Sequence, residues 1–176
     1  MSRLESGIER LRLWDSALCI RFNGAVRIAP VRGFFRVVSR LGDGVFWYSL
    51  MLALLAAGGT SAPGTVVRMT VTGLVCTLIY KWLKSKTSRP RPFAVETAVR
   101  AGADPLDPFS FPSGHTLHAV AFSIVAIAFY PVLAWVLVPF TLLVAASRVV
   151  LGLHYPSDVL AGAALGALIA GTVLVI

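Results

Sequence analysis

Charged side chains are scarce in this chain and almost vanish from its second half. Asp, Glu, Lys and Arg make up 14% of the 176 residues, and Phe109–Ile176 holds one cation, Arg148, and one carboxylate, Asp158. Soluble proteins carry about 25% charged residues. A water-soluble fold of this size would struggle to hide a 57% hydrophobic content. Disorder is excluded too, since it needs low hydrophobicity and high charge. Cysteine is nearly missing: Cys19 and Cys76 lie far apart in apolar surroundings and read as small buried hydrophobes, not a disulfide. The N-terminus lacks the short apolar core and cleavage site of a signal peptide, which leaves targeting to the spans themselves. No internal repeat or low-complexity tract is present. These absences, with a mean hydropathy of +0.80, point to an integral membrane protein.

The charge that is present is lopsided, with 16 Lys and Arg against 8 Asp and Glu, a net +8. Such an excess suits anionic lipid or phosphorylated substrates. It does not suit nucleic acid, because no basic stripe stands on a polar fold. Residues 1–42 read as amphipathic interfacial helices. Leu4, Ile8, Leu11, Trp14, Leu18 and Phe22 form a helical stripe, while Arg3, Glu5, Glu9, Arg10, Arg12 and Asp15 keep the other face polar. Asn23-Gly24 supplies a turn. A second stripe follows in Val31, Phe34, Phe35, Val38 and Leu41, beside Arg32, Arg36 and Arg40. Basic, aromatic-rich helices of this kind lie among lipid headgroups. Packing on a soluble partner is the plainer alternative.

Residues 43–176 read as an all-α polytopic bundle of about five transmembrane helices, near 44–61, 64–85, 113–131, 132–153 and 157–176. Trp47 and Tyr48 suit an interfacial belt. Pro131 separates two spans with almost no loop, and Gly162, Gly166 and Gly171 offer close helix approach. Residues 86–112, rich in Pro and charge, form the one long loop, and loops of that length are usually functional or disordered.

A charged group at membrane depth is costly and usually paired and functional. A lone structural pair between Arg148 and Asp158 would explain those residues but not His115, His118 and His154 beside them. Ser147, Arg148 and His154 are expected at the end of one helix, with Pro156 opening the next and Asp158 in its first turn. A carboxylate bonded to one ring nitrogen of His154 fixes the tautomer and leaves the other nitrogen nucleophilic or basic. Ser113 and Gly114 open another helix, whose free amides form an anion site. Lys84 and Arg91 add positive charge, and the set suits a phosphoryl group in a charged transition state. A zinc site from His115, His118, His154 and Asp158 is conceivable by residue type, but three nearby cations repel a metal. His118 reads as lining or structural, Lys81 and Lys86 as snorkelling to headgroups, and Arg89 and Arg100 as ordinary loop charges.

Lys84-x6-Arg91-Pro92, Pro112-Ser113-Gly114-His115 and Ser147-Arg148-x5-His154-x3-Asp158 together resemble the three-part signature of the type 2 phosphatidic acid phosphatase superfamily. The resemblance implies a membrane lipid phosphatase working without metal or other cofactor. His154 is then the nucleophile that forms a phosphohistidine, oriented by Asp158. His115 protonates the leaving oxygen and later activates water. Lys84, Arg91, Ser113, the amide of Gly114 and Arg148 hold the phosphoryl oxygens. The substrate is a lipid phosphate such as undecaprenyl diphosphate, phosphatidylglycerophosphate or a phosphatidate-like lipid. A phosphotransferase using the same phosphohistidine, or a lipid-phosphate binding or transport protein, is the alternative. No nucleic-acid partner is implied, and no oligomeric state is specified. The expected location is the bacterial inner (plasma) membrane with the site on the periplasmic face, as in many relatives. The positive-inside tendency argues the other way, because the face bearing the site holds every basic residue but Arg68.

Overall fold

The computed structural model describes residues 3–176, with the side chains of residues 3–6 and 8 left out. Leu4 and Ile8 of the first expected stripe, with Arg3 and Glu5, therefore lie outside the described side chains. Helix α1 (Arg3–Asn23) turns through a short 3₁₀ segment into α2 (Ala29–Arg40), and a π-type turn, Leu41–Val45, carries the path into α3 (Phe46–Ala57). Gly44 takes φ +132° in that turn, a conformation that favours glycine. Then come α4 (Ala62–Thr87), the short α5 (Pro92–Val95), α6 (Gly114–Phe129), α7 (Ala134–Val150) and α8 (Pro156–Val175).

Among the described residues, four helical stretches are long and apolar enough to cross a membrane: Ala29–Ala57, Gly59–Thr87, Pro131–Val150 and Pro156–Val175. Gly114–Phe129 is apolar but shorter than the ~20 residues a full crossing takes. It sits at the centre, packed on α8, α4 and α7. Around it, Trp135, Val132, Leu78 and Leu168 are strongly exposed, an apolar outer surface that suits contact with lipid.

Gly162 and Gly166 bring α8 against α6. A Cβ on Gly162 would stand 2.6 Å from the Ser113 carbonyl oxygen, and one on Gly166 would collide with that of Leu117. The expected close approach at Gly171 does not occur, since nothing lies within 4 Å of a Cβ there. Trp47 also departs from expectation. It is not interfacial but 1% exposed, packed against Phe46, Phe122 and Phe140, because its turn of α3 faces the bundle.

Helix α1 keeps its apolar stripe on the outside and packs on the bundle through another face. Leu11, Trp14 and Phe22 are exposed, whereas Asp15, Cys19 and Asn23 are buried against the bundle. The Asn23 side chain donates to the carbonyls of Arg100 and Val150 and accepts from the Arg100 amide, tying α1 to the loop and to the end of α7. Both cysteines are free and buried.

Candidate active site

The two strongest sequence candidates sit on either side of one connection. Helix α7 ends at Val150, so His154 lies not on that helix but in the link Leu151–Tyr155. The cause is Gly152 at φ +69°, where a Cβ would stand 2.7 Å from Val99 and 2.8 Å from the Arg100 oxygen. This left-handed residue ends the helix and turns the chain so that the amides of Leu153 and His154 both donate to the Arg148 carbonyl. Pro156 then opens α8, and the Asp158 carboxylate caps it by accepting from the Tyr155 amide at 2.8 Å.

His154 is 1% exposed. Arg91 Nη1 lies 3.3 Å from its Nε2. A guanidinium can only donate, so Nε2 is the bare nitrogen and Nδ1 carries the proton. Nδ1 faces Asp158 Oδ2 at 3.8 Å, beyond hydrogen-bond length. Burial, and then Arg148, Arg91 and Lys84, push the imidazole well below its ordinary pKa, so it stands neutral with a free lone pair.

Three buried cations surround that lone pair. Lys84 Nζ donates to both oxygens of Asp107 at 2.8 and 2.7 Å, and Arg91 Nη2 reaches the same carboxylate at 3.1 Å. Burial works against the charge on Asp107, but Lys84 and Arg91 prevail and hold it below the usual carboxylate range. Arg148 differs. It is 2% exposed, donates to the Ser39 hydroxyl, leaves Nε without a partner, and pairs with no carboxylate among the described residues.

A cavity of about 680 Å³ joins these groups, its polar lining including Lys84, Arg91, Gly114, His115, Arg148 and His154. Trp47, Tyr48 and Met51 of α3 and Leu74 of α4 add apolar wall to the same cavity. Tyr48 and Leu74 are also exposed on the lipid-facing surface. Gly114 begins α6, where a helix leaves backbone amides unpaired. Ser113 is buried outside the cavity lining, and its hydroxyl caps α6 through Thr116. His118 bonds the Gly114 carbonyl through Nδ1, with Nε2 near Thr77 and Gly73, which suits the structural role.

Sequence reasoning passed over four participants: Asp43, Asp107, Arg89 and Asp15. Arg89, read as a loop charge, donates to Asp158 Oδ1 at 2.7 Å and to Asp15 Oδ2 at 2.8 Å. It joins α1 to the carboxylate behind His154, with Ser157 bonded to both Asp15 and Arg89. Asp15 and Asp158 are 1% and 0% exposed, and Arg89 is the cation paired with either among the described residues. Removing one partner of a buried pair strands the other charge. Arg89→Ala is therefore expected to destabilise the fold by about 3 kcal/mol, seen as earlier thermal unfolding in detergent; an unchanged Tm contradicts this.

A bundle with an anion-seeking site facing lipid defines a class of membrane protein, and comparison with known proteins gives it a family. The sequence model of the PAP2 superfamily matches residues 65–176, and the chain belongs to that superfamily. It is 36% identical over 114 residues to the undecaprenyl-diphosphatase BcrC of Bacillus subtilis (strain 168), covering 63% of this chain and 57% of that protein. The chain thus spans a little over half the length of that relative. It is 31% identical over 143 residues to an undecaprenyl-diphosphatase of Sulfolobus acidocaldarius, covering 80% of this chain and 68% of that one. Among solved structures, Aquifex aeolicus LpxE superposes with a TM-score of 0.77 at 25% identity, covering 91% of this chain and 94% of that one. A transmembrane PAP2-type phosphatidylglycerolphosphate phosphatase from Bacillus subtilis shares the fold at TM-score 0.73 and 24% identity, covering 94% and 85%.

Proposed function

We propose that this protein is a phosphatase of membrane lipid phosphates that works through a phosphohistidine on His154. The observation that carries the proposal is Arg148, a buried guanidinium with an unpartnered Nε, facing the same cavity as the bare nitrogen of His154. A buried charge without a counter-charge is expensive, and a phosphoryl group supplies the missing anion.

The steps follow from the placement of each group. Phosphoryl oxygens bind Arg148, Lys84 and Arg91, with the Gly114 amide completing the cradle; the Ser113 hydroxyl, expected there from the sequence, instead caps α6 through Thr116. The Nε2 lone pair of His154 attacks phosphorus, the bond to the leaving oxygen breaks, and His115 gives that oxygen a proton. Asp158 receives the Nδ1–H as positive charge develops on the ring. Neutral His115 then takes a proton from water, which attacks the phosphohistidine and frees phosphate and His154. Three side-chain cations already offset the charge of the transition state, so no step needs a metal.

The apolar wall of the cavity accepts the first part of a lipid chain, with the remainder in the bilayer. Since two relatives are undecaprenyl-diphosphatases, a polyprenyl diphosphate is the first proposed substrate, ahead of phosphatidylglycerophosphate and phosphatidate-like lipids. Residues 1–42 deliver the headgroup from the interface. We place the protein in the inner (plasma) membrane, with its site on the periplasmic face.

The test is phosphate release by the purified protein from a panel of lipid mono- and diphosphates, with and without chelator. Turnover of polyprenyl diphosphate, unaffected by chelator, is expected. Loss of activity with chelator contradicts the mechanism, and label passing to a second lipid instead of water marks a phosphotransferase.

A further inference from the structure

Asp43 lies in the π-type turn between α2 and α3, flanked by Gly42 and Gly44. Its carboxylate contacts Nε2 of His115, and no hydrogen bond to any other group engages that nitrogen among the described residues. The pair stands where two cavities adjoin. The larger, already described, and a second of about 430 Å³ lined by Arg36, Ser39 and Arg40 both touch Asp43, His115 and Arg148.

Asp104 also lines the second cavity but forms no ion pair with His115 among the described residues, and the remaining carboxylates near the site are already committed. Asp107 holds Lys84 and Arg91, Asp158 holds Arg89 and the Tyr155 amide, and Asp15 holds Arg89 and Ser157. Apart from Asp107, which is held by Lys84 and Arg91, the groups sharing the cavity with His115 and Asp43 are cationic or neutral: Lys84 from α4, Arg91 from the loop, Arg148 from α7, His154 from the link and His118 from its own helix. A general acid must carry the proton it will donate. An imidazolium among those cations is repelled by each of them, and the carboxylate in contact with it is Asp43. Arg40 also approaches Asp43, at 4.0 Å, but is itself mostly exposed and weakly coupled.

We propose that Asp43 is a positioning residue for His115, holding the ring through Nε2–H and stabilising its imidazolium form so that Nδ1–H faces the leaving oxygen. In the step, the Nδ1 proton moves to the leaving oxygen as its bond to phosphorus breaks, and the Nε2 proton stays on the Asp43 side. The proposal rests on the phosphatase function above.

A positioning role is distinguished from a merely structural one by the leaving group. A poor leaving group, the alkoxide of a lipid phosphomonoester such as phosphatidate, depends on the acid; the phenolate of p-nitrophenyl phosphate hardly does. Asp43→Asn in the full chain is expected to lower kcat on phosphatidate about 100-fold and on p-nitrophenyl phosphate several-fold at most, with KM unchanged. Asp43→Glu is expected to recover part of the loss. Equal losses on both substrates, or none on either, overturn the proposal. A second measurement needs no turnover: with ¹⁵N-histidine labelling, His115 Nε2–H is expected as a strongly deshielded proton resonance that Asp43→Asn removes. Identical spectra overturn the pairing. Wild-type protein inactive on every phosphate ester contradicts the phosphatase function, and the resonance then decides the pairing alone.

Discussion

Alanine in place of His154 is expected to abolish phosphate release from every lipid substrate, a loss of at least ~10⁴-fold in kcat. The size follows from its part in the reaction. In the proposed mechanism His154 supplies the atom to which the phosphoryl group transfers, and neither His115 nor His118 is placed to substitute. His115 is held toward Asp43, and both nitrogens of His118 are engaged with backbone or Thr77. The side chain is buried in a five-residue link whose course is set by Gly152 and two bonds to the Arg148 carbonyl, so its loss leaves the surrounding backbone in place. Tm close to wild type, with binding of a lipid phosphate retained, is the accompanying expectation. Residual turnover within 100-fold of wild type contradicts the nucleophile assignment.

Arg148→Ala is expected to cost about 10²–10³ in kcat. Lys84 and Arg91 arrive at the site partly neutralised by Asp107, whereas Arg148 brings its full charge and an unpartnered Nε. Its removal therefore takes away the largest uncompensated positive field at the phosphoryl position. Arg148→Lys restores charge without the planar fork that meets two phosphoryl oxygens at once, so only part of the rate returns. Phosphate release by both variants at saturating substrate measures this, and a lysine variant with wild-type kcat contradicts bidentate recognition.

Much of this site was legible in the sequence because ionisable residues are expensive in an apolar chain. Arg148, Asp158 and the histidines stood out against a background almost free of charge, and their spacing placed them on neighbouring elements. Their partners were harder to see. Asp107 lies in the long loop, where charge is unremarkable by itself, and only the fold brings it onto Lys84 and Arg91. Asp15 was assigned to the polar face of α1, opposite a stripe expected to meet lipid headgroups. The stripe of Leu11, Trp14 and Phe22 is indeed exposed, but Asp15, Cys19 and Asn23 are buried against the bundle, so the polar face is not wholly a solvent face. Their spacing of four residues was the available signal. Helical periodicity carried too far at the end of α7, where Gly152 stops the helix and moves His154 into the link. The same glycine could have been read as a helix terminator.

The most direct test of the account is whether a phosphoryl group passes through His154. Wild-type protein mixed with a lipid diphosphate carrying ³²P in its terminal phosphate and quenched in alkali during turnover is expected to retain label on the peptide containing His154, stable to base and lost in acid. Label absent from the protein throughout turnover, or found on a different residue, contradicts it.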